Sequence, residues 1–252
     1  MTANQYRFPV SGIHQIEITS RCNLRCKYCV HPKMPRAKED MSRDTYVQTL
    51  NLARRLILAR PGRQKELNLA GIGESTMHKE FVEFMFMARE AVGFGVDLIL
   101  ATNGLLMTKD LARAIAPTRP KVWVSLHRPE RAGPAVEALR SAGILTGVSV
   151  DPSISAVDWA GQVDWQVSTP IKGTPCPWVT GGLAFALSDG RLARCCFDAT
   201  ADDIIGNVWD EPSALFTSPY SLCATCHLDV GVPLPQEAQV THALNLAPAE
   251  KN

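Results

Sequence analysis

No apolar run in the 252 residues approaches the length needed to cross a bilayer. The opening residues, Met1 to Arg7, lack the apolar core of a secretory signal. Neither sign of charge is in excess: 26 Lys and Arg stand against 25 Asp and Glu, a net +1. The clustered basic surplus that marks a nucleic-acid partner is therefore missing. These absences lead to the expectation of a cytoplasmic protein with neither membrane nor nucleic acid as its partner. The rest of the composition is that of an ordinary globular chain, 46% hydrophobic and 20% charged, long enough to bury a full core.

Cysteine is plentiful by comparison. Eight are present, and in a reducing compartment they are not expected to pair as disulfides. They fall in groups: Cys22, Cys26 and Cys29; Cys176, Cys195 and Cys196; Cys223 and Cys226. Spacings of C-x3-C and C-x2-C are those of metal ligation. What the first group lacks is a fourth member, since no cysteine follows Cys29 until Cys176. Structural zinc and ordinary iron–sulfur sites take four protein ligands. The triplet thus reads as a cluster with one metal corner left for another ligand, or as a zinc knuckle borrowing a distant one. Three ligands for one site and four for a second leave one thiol over.

From Ile13 to Thr19 polar and apolar residues alternate, with Gln15, Glu17 and Thr19 on one face and Ile16 and Ile18 on the other, which predicts a strand. In a barrel of βα units the apolar set faces outer helices and the polar set the lumen; a strand at a solvated edge gives the same pattern. The cysteine loop follows, then a basic, Pro-containing connection to Asp40. Ser42 is placed to cap a helix running to about Arg60, with Tyr46, Leu50, Ala53 and Ile57 at helical spacing. Further strands are predicted over 66–70, 96–101, 121–126, 144–150 and near 163–167. Helices are predicted over 79–92, 109–116 and 134–142, with a weak one around 156–162. This alternation implies a parallel sheet and an open (β/α)6 barrel. The cysteine loop, Gly73-Glu74, Thr102-Asn103-Gly104 and Ser125/His127 then all fall at the C-terminal ends of strands, where barrel enzymes keep their chemistry. After about Pro170 the rhythm changes: a hairpin turning at Asp189-Gly190, a short helix over 212–218, then Cys223-x2-Cys226. The expected division is a barrel over 1–170, a small cysteine-rich module of hairpin and short helix over 171–229, and a tail over 230–252. A segment as short as 171–229 cannot build a substantial core alone, and a metal centre would fix it.

The triplet Cys22-x3-Cys26-x2-Cys29, with Tyr28 before its last cysteine, resembles the signature of the radical S-adenosylmethionine (SAM) superfamily. The resemblance spans roughly residues 10–170. It implies that three cysteines hold three irons of a [4Fe–4S] cluster and that the amino and carboxylate groups of SAM chelate the fourth. Gly71-Ile72-Gly73-Glu74-Ser75 stands where the family carries a Gly-Gly-Glu-Pro-like loop that receives the SAM ammonium; Ile72 and Ser75 depart from that pattern. Thr102-Asn103-Gly104 is similar to the segment lying along SAM, and Ser125 to the residue bonding its ribose or carboxylate. His127 is either a hydrogen-bonded structural histidine or a lumen-facing group that orients substrate or takes a proton. Glu17 is expected as inward lining with possible substrate contact.

Cys176, the hairpin, Cys195, Asp198, Gly206-Asn207 and Cys223-x2-Cys226 come in an order that resembles the auxiliary-cluster modules called SPASM and Twitch, the shorter Twitch form in particular. This implies a second [4Fe–4S] cluster on Cys176, Cys195, Cys223 and Cys226, with Cys196 spare; a four-thiolate zinc site is the alternative. The resemblance further implies an external one-electron donor such as flavodoxin or ferredoxin. An electron from it cleaves SAM to methionine and a 5′-deoxyadenosyl radical, which takes a hydrogen atom from the substrate. The shortness of the second module is similar to that of Twitch members oxidising an aminocyclitol alcohol. A small-molecule substrate (sugar, aminosugar or nucleotide-sugar) is expected, with peptide modification, or a non-catalytic iron–sulfur or zinc protein, as alternatives.

Overall fold

The computed structural model describes residues 6–126, 128–149, 158–164, 176–226 and 228. The first half alternates strands β1 (Phe8–Pro9), β2 (Gly12–Ile16), β3 (Glu66–Asn68), β4 (Asp97–Thr102), β5 (Lys121–Ser125) and β6 (Leu145–Ser149) with helices α1 (Arg43–Ala59), α2 (Phe81–Val92), α3 (Lys109–Ile115) and α4 (Pro129–Ser141). The second half supplies β7 (Leu183–Ala186), β8 (Arg191–Ala193), β9 (Ile204–Asn207) and β10 (Phe216–Thr217). Eight of these strands form one sheet in the order β6-β5-β4-β3-β2-β7-β8-β9. Every neighbouring pair from β6 to β7 is parallel, and β8 and β9 are added antiparallel. This is the α/β partial barrel expected, with a difference in its sixth parallel strand. Val163 is buried but lies in no strand, and 165–167 fall outside the described residues. The sixth parallel strand is instead β7, the first strand of the hairpin, paired on the free side of β2.

The local reasons are largely those visible in the chain. Ser42 caps α1, its Oγ accepting from Thr45 N at 3.1 Å. Below the cap, Tyr46, Leu50, Ala53 and Leu56 are buried. Tyr46 stacks on Phe84 of α2 at 3.9 Å and donates its hydroxyl to the Phe84 carbonyl at 2.8 Å. In β2 the register on β7 shifts between Ile13 and Gln15, so His14 is an extra residue. That bulge resets the alternation and lets Ile13 join Ile16 and Ile18 in the core against the helices. Helix α4 begins at Pro129 rather than at Pro134 as expected. Pro129 is suited to the first turn, where an N–H has no helical partner, and Pro134 is carried inside the helix. Of the weak helix expected over 156–162, the described part is turn.

Strand β7 is shared by two cores. Ala184 and Ala186 face the main core, whereas Phe185 and Leu187 face a second cluster with Cys176, Trp178, Val179 and Ala193. Period two along one strand thus serves both. The N-terminal lead-in, which shows no sequence pattern, forms β1 and pairs antiparallel with β10. Ser11 then binds Gly182 through its N–H at 2.6 Å. The tail over 230–252 lies outside the described residues.

Candidate active site

The chain leaving β2 turns into the cysteine loop at the C-terminal ends of the parallel strands. The base of this loop is stapled. Thr19 Oγ1 donates to Asp40 at 2.7 Å, Arg21 pairs with the same carboxylate through Nε and Nη2 at 2.9 and 2.5 Å, and His31 Nε2 lies 3.0 Å from Ser20 O. Cys22, Cys26 and Cys29 are half-buried free thiols. The N–H groups of Leu24 and His31 approach the sulfurs of Cys22 and Cys29 at 3.4 Å each. Such donors are suited to thiolates that hold a metal. Burial pushes the Cys29 thiol up to about 11 and raises Cys22 as well, against the Leu24 N–H. Burial, and then a hydrogen bond with Cys26, push the Tyr28 hydroxyl above its ordinary range.

Glu74 draws the neighbouring strand ends together. It is buried; its Oε1 accepts from Thr102 Oγ1 at 2.7 Å, Thr76 Oγ1 at 2.6 Å and Thr76 N at 3.2 Å, and its Oε2 accepts from Asn103 N at 2.8 Å. Asn103 Nδ2 in turn donates to Asn23 Oδ1 at 2.7 Å, inside the cysteine loop. The structure therefore joins Glu74, Thr102 and Asn103 to the cysteine loop through Asn23. Gly73 permits a different close approach from the one a ligand would need. A Cβ there would lie 2.2 Å from Thr19 O and 2.6 Å from Arg21 O, so this loop packs on the backbone entering the cysteine loop. The Glu74 N–H completes that contact by donating to Arg21 O at 2.7 Å.

Ser125 ends β5, half-buried, on the strand face that carries Lys121 and Trp123, while Val122 and Val124 face the helices. His127 lies outside the described residues. Glu17 is fully buried, and its four acceptor positions are taken: Arg36 Nη1 and Nη2 at 2.6 and 2.8 Å, Ile72 N at 3.0 Å and Ser188 N at 3.4 Å. No acceptor is left to turn toward a substrate, so the expectation of a substrate contact is redirected to a structural clamp. Arg36 extends the clamp by donating Nε to Ala199 O at 3.0 Å.

All five remaining cysteines, Cys176, Cys195, Cys196, Cys223 and Cys226, line one cavity of about 80 Å³ whose other walls are mostly apolar. Among the described residues no three His, Cys, Asp or Glu side chains converge tightly enough to hold a single metal ion. Burial pushes the Cys195 and Cys223 thiols up to about 12 and raises Cys196 as well, so deprotonation here calls for a compensating cation. Tyr220 OH lies 2.9 Å from Cys195 Sγ.

Residues 16–163, more than half of the chain, match the radical SAM superfamily. The chain belongs to the radical SAM superfamily. A "Tungsten-containing aldehyde ferredoxin oxidoreductase cofactor-modifying protein" of Pyrococcus furiosus is 35% identical over 101 residues, covering 40% of this chain and 26% of that protein. A "GTP 3',8-cyclase" of Heliobacterium modesticaldum is 31% identical over 137 residues, 53% of this chain and 40% of the cyclase. A "PqqA peptide cyclase" of Rhodopseudomonas palustris is 31% identical over 103 residues, 40% of this chain and 24% of that protein. The chain thus aligns with less than half the length of each of these curated relatives. Two solved structures share the fold over more of the chain. BtrN in complex with AdoMet and 2-DOIA has a TM-score of 0.62 at 19% identity over 79% of this chain and 78% of BtrN. Native anSMEcpe with bound AdoMet and Cp18Cys peptide has a TM-score of 0.57 at 15% identity over 81% of this chain and 79% of that one.

Among residues around the candidate site that sequence reasoning missed, Asn23 and Thr76 lie beside motifs already singled out. Arg36 and Tyr220 carry no local signal, because each acts on a residue far away in the chain. No described helix is long and apolar enough to cross a membrane.

Proposed function

We propose that Cys22, Cys26 and Cys29 hold a [4Fe–4S] cluster and that Glu74, Thr102, Asn103 and Ser125 seat SAM against its open iron. A second [4Fe–4S] cluster is assigned to Cys176, Cys195, Cys223 and Cys226, in a net oxidation of a small hydroxylated substrate. When bound, cluster and SAM together supply a one-electron cleavage of the sulfonium and a primary carbon radical able to remove hydrogen from an unactivated carbon. The chain's own part is to hold these groups and to keep water away from them. Glu74 presents a buried carboxylate at the strand ends, where it orders the Thr102–Asn103 turn and offers negative charge to an ammonium.

The observation that carries the two-centre reading is the cavity. Four thiolates for zinc, with Zn–S near 2.3 Å, need a tight tetrahedron. Five cysteines lining one hollow of about 80 Å³ leave room for a multi-atom cluster. The substrate class rests on the inner face of the sheet. Trp123 is 53% exposed there, its ring against Gly147, where a Cβ would lie 2.3 Å from it. An exposed aromatic plate on this face is suited to the face of a ring such as that of a sugar or aminosugar.

The test is anaerobic reconstitution with iron and sulfide, followed by reduction with SAM and either an aminocyclitol, a nucleotide-sugar or a cysteine-containing peptide. Expected are about eight irons per chain and 5′-deoxyadenosine formation that rises with a deuterated polyol and carries its deuterium. No 5′-deoxyadenosine, or no difference on Cys26→Ala, refutes the enzyme reading. Deuterium arriving from the peptide alone refutes the substrate class.

A further inference from the structure

The cavity of the second cysteine set has one wall whose chemistry the function above does not use. Tyr220 is 5% exposed and reaches the cavity just before the turn Ser221–Ala224 that carries Cys223. Its hydroxyl lies 2.9 Å from Cys195 Sγ. The same sulfur receives the Phe197 N–H. The Tyr220 ring is held in turn by a cation, since the guanidinium of Arg194 stands over it at 5.6 Å. Arg194 is itself anchored, with Nη1 donating to Ser218 O at 2.8 Å and Nη2 paired with Asp203 at 2.8 Å. Asp203, through its N–H, and Asp202 both bind the fully buried Asp198. A short chain of contacts thus runs from the hairpin exit, through Arg194 and Tyr220, to one sulfur.

The chemistry of that contact has a direction. A metal-bound cysteine is a thiolate and can only accept, so in the loaded protein the tyrosine hydroxyl donates. A hydrogen bond to a ligand sulfur draws negative charge off the cluster and favours its reduced state, and a nearby guanidinium acts with the same sign. We propose that Tyr220, oriented by Arg194, tunes the auxiliary centre: its O–H marks Cys195 rather than Cys196 as the ligand and raises the reduction potential of the cluster held there, making that cluster a better electron acceptor than it would be without the hydroxyl. This inference rests on the two-cluster reading above. It makes Tyr220 a positioning and tuning residue and gives it no contact with substrate.

Tyr220→Phe tests it, because phenylalanine keeps the ring under Arg194 and removes the hydroxyl alone. The full chain is reconstituted anaerobically, its iron counted, and both clusters titrated by potential-controlled electron paramagnetic resonance, with the first cluster as internal control. Resonance Raman spectra in H2O and D2O report the O–H···S bond directly. Expected in the variant are an unchanged iron content, an auxiliary potential shifted lower, an unmoved first-cluster potential and a smaller D2O shift of an auxiliary Fe–S band, the Phe197 N–H keeping the remainder. An unchanged auxiliary potential at about eight irons per chain overturns the inference and leaves the two-cluster reading standing. A variant that loses the auxiliary irons refutes a tuning role in favour of a structural one. About four irons in the unaltered protein overturn the two-cluster reading, and the inference with it.

Discussion

Replacing Arg36 by methionine is the sharpest test of how the sheet is held. The pair it forms with Glu17 is buried, with 7% and 0% of the two side chains exposed, and it is bidentate at 2.6 and 2.8 Å. Methionine leaves a carboxylate in the interior with two backbone N–H groups, Ile72 at 3.0 Å and Ser188 at 3.4 Å, as its remaining donors. Removing one partner of a buried pair costs about 3–5 kcal/mol. In a chain of this size each kcal/mol moves the midpoint by about 2–4 °C, so the apparent Tm should fall by roughly 6–20 °C. Glu17→Gln in the same background removes the stranded charge, and the double variant should recover part of the loss. The two changes are then non-additive by about 1–3 kcal/mol. Thermal unfolding of the reconstituted chain, followed by circular dichroism at one scan rate, reads all three variants. Arg43→Met is the control, because its partners Glu80 and Glu83 are on the surface, and it should leave the midpoint unmoved. A drop under about 2 °C for Arg36→Met, or strict additivity in the double variant, refutes the clamp.

The remaining predictions concern the site. Glu74→Gln removes the charge that accepts from Thr102 and Asn103. With charged hydrogen bonds at about 1.5–3 kcal/mol, SAM should bind roughly ten- to a hundredfold more weakly in equilibrium titration, and equal affinity would count against the seat. Gly73→Ala forces a Cβ onto backbone atoms of the cysteine loop entry, so reconstitution should drop from about eight irons to about four, the auxiliary set being spared. Cys196→Ser should keep the iron of the unaltered chain and Cys195→Ser should lose part of it; the reverse pattern reassigns the ligand. His14 is half-buried, its ring 5.3 Å from that of Trp178, and desolvation there, opposed by Glu66, lowers its pKa. The unfolded chain therefore takes that proton first as pH falls. The His14 contribution is full above about pH 6.5 and lost below it, so acidification should lower the apparent Tm less in His14→Gln than in the unaltered chain.

Legibility in the sequence followed the range of each interaction. The cap at Ser42, the alternation leading into the cysteine loop and the Asp189-Gly190 turn are local, and Gly190 does adopt a positive φ of 88°. The strand ends were legible because βα alternation places loops without knowledge of their contacts. Strands β9 and β10 were not, since Ile204–Asn207 and Phe216–Thr217 are short and become strands by pairing with β8 and β1. Pro134 misled by its usual place at a helix start. Glu17 misled more instructively: alternation correctly turned its side chain from the helices, but only the fold brings Arg36, 19 residues on, and Ser188, 171 residues on, to fill its acceptors.

That last point also explains how a cysteine-rich segment too short to build a substantial core of its own keeps its place. Strand β7 pairs with β2 in parallel register, Gly12 opposite Leu183 and Ile16 opposite Ala186. One face of β7 is therefore sealed in the main core before the other is asked to carry Phe185 and Leu187 toward the cysteines. A slip of one residue would exchange those faces, placing two alanines beside the cavity and two large side chains in the filled core. Glu17 opposes such a slip from the next step along β2: its N–H donates to Ala186 O at 2.8 Å and its carboxylate accepts the Ser188 N–H. The strand that delivers the chain to Cys22 is thus the same one that fixes the register of the strand reaching toward Cys195. The relative placement of the two cysteine sets is a property of β2 and its buried pair, so the second set needs no large core of its own.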